Sequence, residues 1–260
     1  MRMSGRIGIF SDDAKTLVGG SSFDPHDVGW VSGKDDPLQE RQVQSMLTGW
    51  CRIDLEHFAK RPSQVVQYVS CHDNYALWDR LVIQTGSSDM NAENSLALRR
   101  NKLAAGLVLL SAGIGFFQSG EEFCRSKNGN GNSYNGPARL NRLRWEQTWT
   151  RRDMVSWYRG MLTVRHAMFA DLGKAAVEKM TFLDAQKGCV AFTMPCREGA
   201  PWKEVLVAFD PLEERVPLWL PGGRWQVLCD GSEHELWKRT PHHMSGEILL
   251  APCAVMIFGR

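Results

Sequence analysis

VVQYVSCHDNYALWDRL, residues 65–81, passes from an apolar run, Val65 to Cys71, directly into a histidine and an aspartate. A short apolar run bounded by turn residues fits a strand buried in a parallel sheet. In parallel α/β folds the working side chains collect just beyond the C-terminal ends of the strands. His72 and Asp73 stand at such an end and are candidates for a site. A polar pair that caps a loop is the plain alternative, and the residues alone leave both open.

Two further runs resemble this one, RIGIF at 6–10 and IGFFQSG at 114–120. Each of the three is followed by a helical pattern. Leu38, Val43, Met46 and Leu47 mark one within PLQERQVQSMLTGW, after a long loop. Ala92, Leu96, Leu103, Leu107 and Leu110 recur on one face over 92–112, with Asn91 as cap. Met154, Trp157, Met161 and Met168 do so over 151–169, where Thr150 and Asp153 have the spacing of a capping box. Strand and helix in alternation predict βα units and a parallel sheet. From about residue 175 the texture changes to CVAFTMP, EVLVAFD, VPLWLP, WQVLCDG and EILLAPCAVMIF, separated by Gly, Pro and charged turns. These predict antiparallel strands of a β-sandwich domain, so the chain divides into 1–172 and 173–260.

The 260 residues are 43% hydrophobic and 23% charged, an ordinary globular composition with enough length for one large domain or two modest ones. A net charge of +2 from 31 basic and 29 acidic side chains gives no footprint for nucleic acid or an anionic membrane. No run of about 18 apolar residues occurs and the opening MRMSGRIGIFSDD has no apolar leader core, so no membrane span is expected and the location expected is cytoplasmic. Seven cysteines without a CxxC pair suggest reduced thiols rather than a disulfide framework or zinc ribbon. His26 with Asp24 and Asp27 lacks paired-ligand spacing. No metal or cofactor is expected, a structural calcium being the one exception left open. Ten tryptophans are more than a core of this size needs; packing is the plain reading, and flat platforms for sugar rings the functional one.

The third run empties into EEFCRSKNGNGNSYNGP, rich in Gly and Asn, with Arg125, Lys127, Asn132, Tyr134 and Asn135. Its glycines say only that the backbone bends. With His72 and Asp73 at the neighbouring strand end, these groups suit a neutral, polyhydroxylated ligand better than an anion.

YVSCHDNYALWDRL, followed about 40 residues later by GIGFFQSGEEFCRSKNGNGNSYNGPARLNRLRWE, resembles the late part of pullulanase-type debranching enzymes of the alpha-amylase superfamily. IGIFSDDAKTLVGGSSFD resembles that family's sixth barrel strand and loop, and the C-terminal strands its terminal β-domain. The resemblance implies the C-terminal part, about strands six to eight, of a (β/α)8 TIM barrel followed by an antiparallel β-sandwich. It implies retaining cleavage of α-1,6-glucosidic branches in pullulan, starch or glycogen, with an α-glucan as partner. By motif position Asp73 matches the acid that binds sugar hydroxyls and stabilises the transition state, and His72 its neighbouring donor. Asn74 and Trp78 match the rest of that motif; Arg125, Lys127, Asn132, Tyr134, Asn135 and Asn141 match the substrate-facing loop after strand eight. The hydrogen bond to the sugar 2-OH strengthens in an oxocarbenium-like transition state, so a carboxylate there accelerates cleavage without moving a proton.

No counterpart of the family's nucleophilic Asp or acid/base Glu is found. A barrel takes about 250 residues, more than the segment before the β-strands supplies. The expectation is a C-terminal portion of a longer enzyme, inactive alone, with the missing N-terminal part as a partner; a non-catalytic glucan-binding remnant is the alternative. Asp13, Lys15 and Thr16 stand where the family usually has arginines and an aspartate, and Ala138 where an acid is common.

Overall fold

A computed structural model describes residues 6–169 and 173–260. The opening MRMSG and the expected division at 172/173, which abuts residues 170–172, lie outside the described residues. Three short strands, β1 (Ile9–Phe10), β2 (Val65–Gln67) and β3 (Ile114–Gly115), form a parallel sheet in that order. Ile9 is in register with Val65, and Val66 with Ile114. The strands are shorter than the apolar runs that announce them because pairing stops within three residues. Past β1, Ser11 already caps the next helix, its hydroxyl accepting from Ala14 N.

Helix α1 (Asp12–Gly19) follows β1 directly, where the sequence suggested loop; α2 is Gln39–Leu47, and α3 (Leu77–Gln84) was likewise not expected. Helix α4 runs Ser95–Leu110, three residues inside its predicted start. Asn94 rather than Asn91 is its cap, accepting from Ala97 N, while Asn91 N is held by Asp89 in the preceding turn. Short helices α5 (Ala138–Asn141) and α6 (Gln147–Thr150) lead into α7 (Arg152–Met168). The capping box is absent from α7: Thr150 Oγ1 donates back to Gln147 O. Met154, Trp157, Met161 and Met168 are buried as the spacing predicts. After α8 (Lys174–Glu178) the chain is all strand: β4 (Thr181–Phe182), β5 (Val190–Pro195), β6 (Glu204–Asp210), β7 (Val216–Trp219), β8 (Trp225–Asp230), β9 (His243–Met244), β10 (Glu247–Leu250) and β11 (Ala254–Gly259).

Six of these strands make one antiparallel sheet, ordered β4-β5-β6-β11-β8-β9, and β7 pairs with β10 in a second. The long sheet is covered on both faces, which explains why its strands read as continuous apolar runs. Ala191, Leu206, Ala208, Met256 and Phe258 pack under the two-stranded sheet with Leu218 and Ile248. Their alternates Phe192, Val207, Phe209, Val255 and Ile257 belong to the same core as α4 and α7. Helix α4 is buried all round from Leu103 to Leu110 because it lies between α3, α7 and strands β6 and β11. Gly106 permits the closest approach: a Cβ there would sit 2.5 Å from Val255 Cγ2.

The tryptophans divide by exposure. Trp30, Trp50, Trp78, Trp157 and Trp225 are core, whereas Trp145, Trp149, Trp219 and Trp237 are exposed. All seven cysteines are thiols, with no disulfide between them. No helix among the described residues is long and apolar enough to cross a membrane.

Candidate functional site

Beyond β2 the chain is anchored residue by residue. Gln67 donates to Met46 O and Ala112 O, fixing the strand to its neighbours. Tyr68 lies edge-on to Phe10 and Phe116 and donates its hydroxyl to Asp12. Ser70 Oγ donates to Glu121 Oε2 at 2.6 Å, tying this strand end to the one after β3. The turn then rises into solvent at His72 and Asp73.

Asp73 is half exposed, and each of its oxygens has a partner. The Cys71 thiol donates to Oδ1 and Asn74 Nδ2 to Oδ2 at 3.1 Å, and Lys15 Nζ, from α1, is 3.6 Å from Oδ1. Burial works against ionisation, but the thiol, the lysine and neighbouring His72 outweigh it and hold the carboxyl below its ordinary range. Asn74 adopts the left-handed conformation, φ 52°, which an Asn tolerates better than most residues. That turn is braced from the second loop: buried Lys127 donates through its ammonium to Asn74 O. Lys127 N in turn donates to buried Asp79 Oδ2 at 2.7 Å. Gly131 lies flat against Tyr75, where a Cβ would meet the ring at 2.6 Å. The two strand-end loops therefore form one surface.

Within it the sequence-derived candidates separate by exposure. His72, Asp73, Asn132, Tyr134 and Asn135 face solvent, and Asn74 lies between core and surface. Trp78 is 2% exposed, its Nε1 donating to Met90 O while Arg151 stacks on its ring at 5.4 Å. Asn141 exchanges hydrogen bonds with Ser133 at 2.8 and 2.7 Å, and its carbonyl accepts from Arg125 Nη2 at 2.9 Å. In this geometry Trp78, Lys127 and Asn141 shape the loops, and Arg125, half-buried with Nε unpartnered, straddles core and surface. Lys15, Cys71 and Glu121 were not among the candidates. Lys15 is one helical turn past β1, so a basic residue just beyond a strand end was the available signal.

The arrangement offers an ionised, partly exposed acceptor beside an imidazole, carboxamides and a phenol, a set suited to hydroxyl groups. Among the described residues no group of His, Cys, Asp and Glu could hold a metal ion; Asp24 and Asp27 instead accept from His26 N and Ser21 N in a turn. A cleft of about 450 Å³ opens elsewhere, lined by Asp13, Thr16, Gln39, Trp50 and His57 among others, and none of the candidate residues lines it.

The family model for the pullulanase all-beta domain matches residues 177–233. Pullulanase of Bacillus subtilis (strain 168) is 29% identical over 240 residues, covering 89% of this chain and 32% of that protein. The solved pullulanase of Bacillus acidopullulyticus superposes with a TM-score of 0.86 at 26% identity, over 98% of this chain and 30% of its own. That of Anoxybacillus sp. LM18-11, in complex with maltotetraose, gives 0.83 at 28% identity, over 98% and 35%. The chain thus spans about a third of the length of the relatives it matches. In sequence and in fold the chain is similar to the C-terminal region of pullulanases.

Proposed function

We propose that this chain is the C-terminal portion of a retaining α-1,6-glucan debranching hydrolase and that the Asp73 turn is its contribution to the sugar site. The observation that carries the reading is Asp73: a carboxylate at a parallel strand end, kept ionised by Cys71 and Lys15, with one side open to solvent. A carboxylate so held accepts from sugar hydroxyls and strengthens those bonds as positive charge develops on the ring. His72 donates beside it, and Asn132, Tyr134 and Asn135 bind the chain of glucose units further along. The maltotetraose complex of a homologous pullulanase supports an α-glucan as ligand. Strands β1 to β3 are, on this reading, the last three of a (β/α)8 barrel.

Retaining cleavage needs a nucleophile and an acid/base about 5 to 5.5 Å apart, and these 260 residues are proposed to hold neither. Titration calorimetry of the pure chain with maltotriose should then show saturable binding, weakened at least about tenfold in Asp73→Asn given the worth of a hydrogen bond to a charged group. Incubation with pullulan should release no reducing ends. A flat titration would remove the glucan reading, and a rise in reducing ends abolished by Asp73→Asn would show that the chain is catalytically complete.

A further inference from the structure

The Glu121 side chain, just beyond β3, is 5% exposed, and the binding surface described above makes no direct use of it. Its two oxygens serve different elements. Oε2 accepts from Ser70 Oγ at 2.6 Å, and Oε1 accepts from the Tyr158 phenol of α7 at 3.0 Å. Tyr158 oxygen in turn accepts from Asn101 Nδ2 of α4 at 3.2 Å. Ser70 is 3% exposed, stands three residues before Asp73, and hydrogen-bonds no other side chain among the described residues.

We infer that Glu121 is a positioning residue for the Asp73 turn, locking Ser70 as a carboxylate and releasing it as a carboxylic acid. A carboxylate accepts both hydroxyls at once. The acid must donate through one oxygen, which turns the Ser70 or the Tyr158 hydroxyl away from it and leaves that proton without an acceptor in a dry site. The inference rests on the glucan reading of the Asp73 turn and adds a proton-dependent control to it.

The neighbourhood makes this protonation accessible. Burial pushes the Glu121 carboxyl up to about 7; the Ser70 and Tyr158 hydrogen bonds pull against it and the Glu122 charge adds to it. The titratable groups that act on Glu121 are Glu122 and Cys124 on its own segment and Tyr158 on α7; Arg151, just before α7, and Lys102 on α4 act on Cys124 beside it. Burial raises the thiol of Cys124 to about 12 and raises Cys71 and Tyr158 as well, so those three stay neutral. Asp73 stays ionised.

The test uses the whole chain and Glu121→Gln, which keeps the shape and removes the titration. Maltotriose binding, followed by calorimetry, should weaken on the order of fivefold as the pH falls through neutrality, the low end of coupling between linked sites. In Glu121→Gln that step should vanish. Without ligand, the backbone amide of Asp73 should follow the Glu121 carboxyl in an NMR titration. A neutral-range step of equal size in Glu121→Gln overturns the inference. Ser70→Ala gives the second arm if Glu121→Gln fails to fold: Glu121 should still titrate, and the Asp73 amide should no longer follow it. An amide that follows regardless overturns it too. Absence of maltotriose binding at every pH counts against the glucan reading alone, because the NMR arm decides on Glu121 independently.

Discussion

Asp73, half in solvent, and Glu121, in the core, depart in opposite directions from the ordinary carboxyl range. Asp73 is held low, so what it contributes to stability is present above its unfolded value and is lost as the pH falls. Glu121 is held high, so the folded chain binds its proton more tightly than the unfolded one. Its contribution is therefore complete below the ordinary carboxyl range and is lost as the pH rises through about 7. Asp210, raised by burial to about 6, has the same sign. Thermal melts of Glu121→Gln and the parent protein at a series of pH values should diverge above about pH 4.5. The parent should lose about 3 kcal/mol relative to the variant by about pH 7.5, at about 1.36 kcal/mol for each pH unit between the folded and unfolded midpoints of the carboxyl. Equal pH dependence in the two proteins would mean that Glu121 is not buried as described. The strand-end position of His72 and Asp73 was legible because a short apolar run announces where its polar successor will stand. The pairing of Lys15 with Asp73 was not, since the 3.6 Å contact joins segments far apart in sequence and only the parallel pairing of β1 with β2 brings them together.

Among the elements, α4 is the one on which others converge, and Gly106 sets how near β11 can come. Alanine there would place its methyl against Val255. Overpacking of this kind costs about 1–3 kcal/mol, and the better helix propensity of Ala returns at most about 1 kcal/mol. Gly106→Ala should therefore unfold at lower denaturant concentration, and Gly106→Ala with Val255→Ala should recover much of the loss because the second change vacates the same space. Failure of the double variant to recover would place the clash elsewhere. Helices α2, α4 and α7 were legible from spacing. Helices α1 and α3 are eight residues each, too short to repeat a pattern, although Leu77, Trp78, Leu81 and Val82 do share a buried face. The start of α4 was misplaced because Asn91 and Asn94 are equally good caps by residue type, and only the Asp89 turn, which claims Asn91 N, decides between them.

For the molecule as a whole, the apolar alternation of β5, β6 and β11 divides between two cores, one of which is shared with the helices that follow β1 to β3. The change in texture near residue 175 is visible in the sequence and suggests a division there. What one-dimensional pattern cannot carry is that Phe192, Val207, Phe209 and Val255 point back across it. Because those side chains share one core with α4 and α7, the two regions should unfold together: a single calorimetric transition, with equal calorimetric and van't Hoff enthalpies. Two separated transitions would show that the shared core is not cohesive. The shared wall also bears on exchange between proteins. Cut free at 173, the antiparallel sheet would carry away a bare greasy face and leave another behind on α4. It cannot be shuffled as a self-contained cassette, and any graft of it onto a foreign enzyme must bring α4, with its glycine, along.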